Sequence, residues 1–161
     1  MLKIVKNTRE LNITHFLRVY EESIRENSER FSTSVQKAED AFLAYLEDDF
    51  FRQRDAFYAF WIVDGIYKSA LRMEPYRDGL LLQALETAPD DRGHGYAEAL
   101  MKEVLAYLEH TEFKVIYSHV DKQNRASYNV HMKCGFFVHS DVATYIDGTV
   151  TNKSYTLCRI L

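Results

Sequence analysis

Cysteine is scarce: Cys134 and Cys158 are the only two in 161 residues. That is too few to staple a small secreted scaffold, and neither stands in a Cys-x-x-Cys or Cys/His metal spacing, so both are read as reduced thiols. The six histidines are scattered singly. None makes the His-x-x-x-His pair that sets two ligands on one helical face, so no metal is expected. Long apolar runs are missing too, which excludes a membrane span. The opening Met1–Lys6, followed by Asn7-Thr8-Arg9-Glu10, lacks the apolar stretch and small-residue cleavage site of a secretory signal. A cytoplasmic protein is expected. Positive charge is not in excess: 20 Lys and Arg face 24 Asp and Glu, a net charge of -4. Such a chain offers no basic field to nucleic acid or to an anionic membrane, whereas a cationic amine is well tolerated. No repeat, linker or low-complexity tract divides it.

What the chain does have is a hydrophobic content of 47% with 14% aromatic, enough for one real core within this length. The expectation is therefore one domain over residues 1–161.

Leu2, Ile4 and Val5 read as a short strand, and Asn7 with Glu10 has the spacing of a capping box ahead of a first helix. Ile13, Phe16, Leu17, Tyr20 and Ile24 form that helix's apolar stripe. Thr33 with Gln36 is a second capping-box spacing, and Val35, Ala38, Phe42, Tyr45 and Leu46 continue at helical period. Phe57–Val63 and Ile66–Met73 flank Asp64-Gly65, a two-residue hairpin signal, and Pro75 and Gly79 punctuate the way to a third strand at Leu80. A helix over 97–108 is followed by a strand at Phe113–Val120. Because a helix crosses between them, that strand runs parallel to the Leu80 strand. A further helix from Asn124 to Lys133 ends at Cys134-Gly135. Phe136 opens a strand, Asp147-Gly148 marks a hairpin turn, and Tyr155–Ile160 closes the chain. The order βααβββαβαββ predicts an α/β (α+β) domain: a mixed, mostly antiparallel sheet of six to seven strands flanked by four helices.

The segment Arg92-Gly93-His94-Gly95-Tyr96-Ala97 runs straight into a helix whose apolar positions are Ala97, Leu100, Met101, Val104, Leu105 and Leu108. A helix N-terminus presents unpaired N–H groups and the positive end of the dipole, which suits an anion. Gly93 and Gly95 let a phosphate approach, and Arg92 can grip it bidentately. A Gly-x-Gly before a helix also serves as a plain strand-to-helix turn. Two phosphate motifs are excluded, since there is no Gly-Lys-Ser/Thr and Glu98 stands where a dinucleotide fingerprint needs a small residue.

This run resembles the acyl-CoA loop of the GNAT acetyltransferase superfamily, Arg or Gln, two residues, Gly, one residue, Gly or Ala, which Arg92, Gly95 and Ala97 fill. Leu85-Glu86-Thr87-Ala88-Pro89 is similar to the end of that family's fourth strand. A second, independent match lies in Asn124, Ser127, Lys133, Gly135 and Phe136. The resemblance implies a GNAT fold, acetyl-CoA as cosubstrate, and a cofactor site made by Thr87, Arg92, Gly93, His94, Gly95, Tyr96, Ala97, Asn124 and Ser127. It is compatible with a homodimer.

Glu86, near the C-terminal end of its strand, is the candidate base for an acceptor ammonium. The same resemblance implies that the backbone near Glu86 and Thr87 binds the pantetheine arm and polarises the thioester carbonyl. Asn124, Tyr128 and His131 fall near one line of their helix, because four and seven residues are nearly whole turns. In many family members the position of His131 holds a tyrosine that protonates the departing thiolate. This chain departs there, leaving His131 and Tyr128 as two candidate acids.

The reading is thus an N-acetyltransferase acting by direct attack of a primary amine, carried by a small molecule or a peptide. Its rival is a non-catalytic acyl-CoA-binding or sensing module of the same fold. Residues for acceptor recognition are sought in the link Ser28–Ser34 and the Tyr145–Lys153 turn.

Overall fold

The computed structural model describes residues 1–161. Seven strands form one sheet in the order β1-β2-β3-β4-β5-β9-β6. They are β1 (Leu2–Val5), β2 (Phe57–Val63), β3 (Ile66–Tyr76), β4 (Gly79–Thr87), β5 (Val115–Asp121), β6 (Phe137–Ser140) and β9 (Ser154–Ile160). All neighbours are antiparallel except β4 and β5. Five helices accompany them: α1 (Ile13–Val19), α2 (Glu21–Arg30), α3 (Val35–Asp48), α4 (Tyr96–Leu108) and α5 (Arg125–Lys133). None is long and apolar enough to cross a membrane.

Strand alternation sorts the core into two layers. From β2, Phe57 and Ala59 join Leu71, Met73, Leu80 and Leu82 under the apolar stripe of α4. Tyr58 and Phe60 point the other way and pack with Phe16, Val19, Tyr20, Ile24 and Leu46 of α1, α2 and α3. The Asp64-Gly65 turn forms as expected, with both residues at positive φ (50° and 76°), the conformation that matches the twist of the flanking strands.

Several local expectations are corrected. The four expected helices are five, because the first breaks at Tyr20 (φ -99°, ψ 12°) into α1 and α2. Tyr20 is buried and its hydroxyl donates to Ala84 O at 2.7 Å, so a tertiary anchor redirects the helix. The Asn7–Glu10 box closes a 3₁₀ turn over Thr8–Glu10, and α1 is capped instead by Asn12. Ser34, not Thr33, caps α3. Pro75 lies inside β3, opposite Leu80, and the turn falls at Arg77-Asp78. Asp147-Gly148 turns a separate small ribbon of β7 (Ala143–Thr144) and β8 (Val150–Thr151), inserted between the paired strands β6 and β9.

One irregularity shapes the functional face. β4 and β5 are paired only over Leu80–Leu82 and Ile116–Ser118. Beyond that point β5 stays with β9 through Asp121↔Ser154, while β4 stays with β3 through Thr87↔Ser69. On β4 a bulge at Ala84 (φ 50°) interrupts the ladder between Gln83 and Glu86. A bulge bends its strand and adds twist, so the two parallel strands part into a V.

Candidate functional site

The V opens into a cleft of about 850 Å³. One wall is the far half of β4 with the following loop. The other is the end of β5 with α5, and α2 closes the side through Glu22 and Ser23.

At the mouth, Pro89–Asp91 form a 3₁₀ turn, and Gly95 is the N-cap of α4. The turn is held by Asp91, whose carboxylate accepts from Arg18 Nη2 at 2.6 Å and Lys68 Nζ at 2.9 Å. Burial pushes this carboxyl up, but those two cations outweigh it and hold the group below its ordinary range. Gly93 (φ 80°) and Gly95 (φ 77°) are both left-handed, and a Cβ on either would meet nothing within 4 Å. Backbone conformation, not crowding within the chain, is therefore what calls for glycine there. The first intrahelical bond of α4 runs from Ala99 N to Gly95 O, so the N–H groups of Tyr96, Ala97 and Glu98 have no partner within the helix. Arg92 is half exposed beside them, bonded to Glu22 of α2. This edge of the cleft can hold an anion.

Deeper in, the Glu86 carboxylate accepts a hydrogen bond from Ser23 Oγ at 2.5 Å. Its backbone carbonyl accepts from Ser69 Oγ at 2.7 Å, and Thr87 Oγ1 donates to Ser69 Oγ at 3.1 Å. Burial pushes Glu86 up to about 7, against the lowering effects of Ser23 and Arg92 and helped by the negative charges of Glu22 and Glu26. A carboxylate that titrates near neutrality in a cleft can accept a proton and release it again.

On the opposite wall, Asn124 caps α5, its side chain accepting from Ser127 N at 3.0 Å. The spacing of that motif thus has a local structural reason. His131 is 1% exposed and lies between two partners: its Nδ1 donates to Ser127 O at 2.8 Å, and its Nε2 is 2.9 Å from Ser118 Oγ. Burial pushes His131 below its ordinary range despite the Ser127 carbonyl.

The structure gathers Glu86, Thr87, Arg92, Gly93, Gly95, Tyr96, Ala97, Asn124, Ser127 and His131 around one cleft. It leaves two expected residues outside its lining. His94 is exposed and stacks on Tyr96 at 5.6 Å between ring centroids. Tyr128, expected on the same face as His131, turns instead to the core and meets Tyr155 at 5.8 Å. The reason is angular: residues three apart on a helix are offset by about 60°, enough to put one in the cleft and the other beside it. Of the two segments considered for acceptor recognition, Ser28–Ser34 contributes nothing to the lining, while Tyr145 packs against the lining residue His119 at 5.3 Å.

Sequence reasoning missed Glu22, Ser23 and Ser118. Nothing local marks the first two. Ser118 carried a signal, being the polar residue between Ile116 and Val120 on an otherwise apolar strand face. No cluster of three or more His, Cys, Asp or Glu that could hold a metal ion is formed.

The model of the family described as "Acetyltransferase (GNAT) family" matches residues 16–136. No curated protein matches the sequence. Among solved structures, the chain is similar to PaiA N-acetyltransferase from Thermoplasma acidophilum in complex with coenzyme A (13% identity, 100% of this chain and 99% of that one, TM-score 0.63). It is similar to spermidine N-acetyltransferase from Vibrio cholerae in complex with CoA and spermine (14%, 99% and 94%, 0.65). It also resembles ribosomal-protein-alanine N-acetyltransferase from Brucella melitensis (15%, 99% and 99%, 0.66). At these identities the likeness is one of fold.

Proposed function

The chain belongs to the acetyltransferase (GNAT) family, and from that premise we propose that it transfers an acetyl group from acetyl-CoA to a primary amine by direct attack in a ternary complex. The loop Arg92–Ala97 and the N-terminus of α4 receive the pyrophosphate, and the unpaired edges of β4 and β5 receive the pantetheine arm. In this reading Arg92 exchanges Glu22 for phosphate.

The observation that carries the proposal is Glu86, a carboxylate at the parting of β4 and β5 whose environment sets it near 7. It takes the proton of the acceptor ammonium, freeing the nitrogen lone pair to attack the thioester carbonyl. Backbone N–H groups of the bulged strand stabilise the oxygen that gains charge. Of the two candidate acids, His131 lines the cleft and Tyr128 does not. Because its Nδ1 proton is committed to Ser127 O, the imidazole serves the sulfur only after gaining a second proton on Nε2, and burial opposes that. Departure of the thiolate therefore depends less on α5 than attack depends on Glu86.

The acceptor is a small-molecule or peptide amine. Glu22 and Glu26, close enough to raise Glu86 by repulsion, favour a cation on that side. The test is release of CoA thiol across an amine panel, comparing wild type with Glu86→Gln. Turnover at neutral pH should fall by ~10²-fold or more in the variant with acetyl-CoA affinity retained. Acetyl-CoA binding without turnover of any amine would instead leave a non-catalytic acyl-CoA-binding module.

A further inference from the structure

Amine acetylation as described makes no use of Ser118, yet this residue occupies a prominent place in the cleft. It is the last residue of β5 to pair with β4, opposite Leu82, so it marks the apex of the V. It is one of the residues lining the cleft although only 2% exposed. Its Oγ lies 2.9 Å from His131 Nε2 and 3.2 Å from Leu82 O.

The proton inventory of this group follows from its partners. Ser127 O can only accept, so at 2.8 Å it fixes a proton on His131 Nδ1. The neutral imidazole then has a lone pair on Nε2, and the Ser118 hydroxyl, which also donates to Leu82 O at 3.2 Å, reaches it at the shorter distance of 2.9 Å. A hydroxyl bonded to an imidazole whose far nitrogen is oriented by a third group is the arrangement that activates a serine nucleophile, with a main-chain carbonyl here in the orienting role. Ala84 and Leu85 of the bulge line the same cleft and fall outside the registers with β3 and β5, and a developing oxyanion would draw on backbone donors of this bulge.

We propose that Ser118 is a second acyl acceptor in this cleft: when no amine is bound, its Oγ attacks the thioester carbonyl of a bound acyl-CoA and forms an acyl-Ser118 ester. This rests on reading the cleft as an acyl-CoA site. As the C–O bond forms, the hydroxyl proton passes to His131 Nε2; burial opposes an isolated imidazolium there, but this one forms beside the oxyanion whose charge it balances. The C–S bond then breaks with its electron pair on sulfur, and the imidazolium returns that proton to sulfur, releasing CoA as the free thiol. Water attacks the ester with His131 again accepting its proton, and as the ester C–O bond breaks the imidazolium returns that proton to Ser118 Oγ, releasing the carboxylic acid and restoring Ser118. The net reaction is hydrolysis of the thioester, and no redox partner is required.

The experiment incubates the full chain with acetyl-CoA and no amine, and follows intact mass, peptide mapping and thiol release, with calorimetry of acetyl-CoA binding alongside. The expected result is one acetyl group mapped to Ser118, or amine-independent thiol release that falls ~10-fold or more in Ser118→Ala. In Ser118→Cys the adduct becomes a thioester cleaved by neutral hydroxylamine, a signature that a merely structural serine would not give. If wild type binds acetyl-CoA yet carries no adduct and releases thiol no faster than Ser118→Ala, the proposal is overturned. If acetyl-CoA does not bind at all, the reading of the cleft falls and this inference with it.

Discussion

Replacing Ser23 by alanine isolates the tuning of Glu86. In the folded protein the Ser23 hydroxyl donates to Glu86 Oε1 at 2.5 Å, a bond that favours the ionised carboxylate. Burial raises Glu86 to about 7 in spite of that bond, so removing it must move the group further up. A hydrogen bond to a charged group contributes ~1.5–3 kcal/mol, and one pKa unit corresponds to about 1.4 kcal/mol. Glu86 is only partly withdrawn from solvent, so water replaces some of the loss, and a rise of ~1 unit is expected. The sign of the kinetic effect follows from the role of a base. Only the carboxylate works, so activity rises with pH through the folded-state value. In Ser23→Ala that limb should move from about 7 to ~8, with a ~10-fold loss on its acid side and recovery above it. The assay is kcat/KM against pH for one amine whose own ionisation lies outside the range. A uniform loss at every pH, or a limb displaced toward acid, would refute the assignment of Glu86 as the titrating base.

Gly95→Glu places bulk and negative charge at the left-handed N-cap of α4 and should abolish acetyl-CoA binding in calorimetry. Unchanged affinity in a folded variant would reduce the loop to a turn. Tyr128→Phe should keep turnover within ~2-fold, because the ring packs on Tyr155 outside the cleft. Loss of most of the rate, with an altered alkaline limb, would restore Tyr128 as the proton donor. Gly79→Ala would set a Cβ 2.0 Å from Val115 O, where backbone of β5 must move. A loss of ~2–3 kcal/mol and a Tm lower by ~5–10 °C are expected in thermal unfolding, and an unchanged Tm would contradict the close approach of β4 and β5.

The sequence by itself determined the elements whose causes are local. Two residues able to adopt positive φ make the Asp64-Gly65 turn, alternation assigns Phe57 and Tyr58 to opposite faces, and the stripe from Ala97 to Leu108 together with Gly95 defines α4 and its N-terminus. Each depends on residues within a few positions of one another, so each is legible in order along the chain. Only the tertiary structure decided what depends on distance between remote segments. Tyr20 breaks a continuous helical stripe because its hydroxyl is held by Ala84, 64 residues away. Glu86 acquires its environment from Ser23 of α2, and His131 its tautomer and partner from Ser127 and Ser118. The helical period placed Tyr128 and His131 on one side of α5, but it could not say which edge of that side would face β5. That choice belongs to the packing of α5 against the sheet, where a rotation of a few tens of degrees separates a cleft from a core.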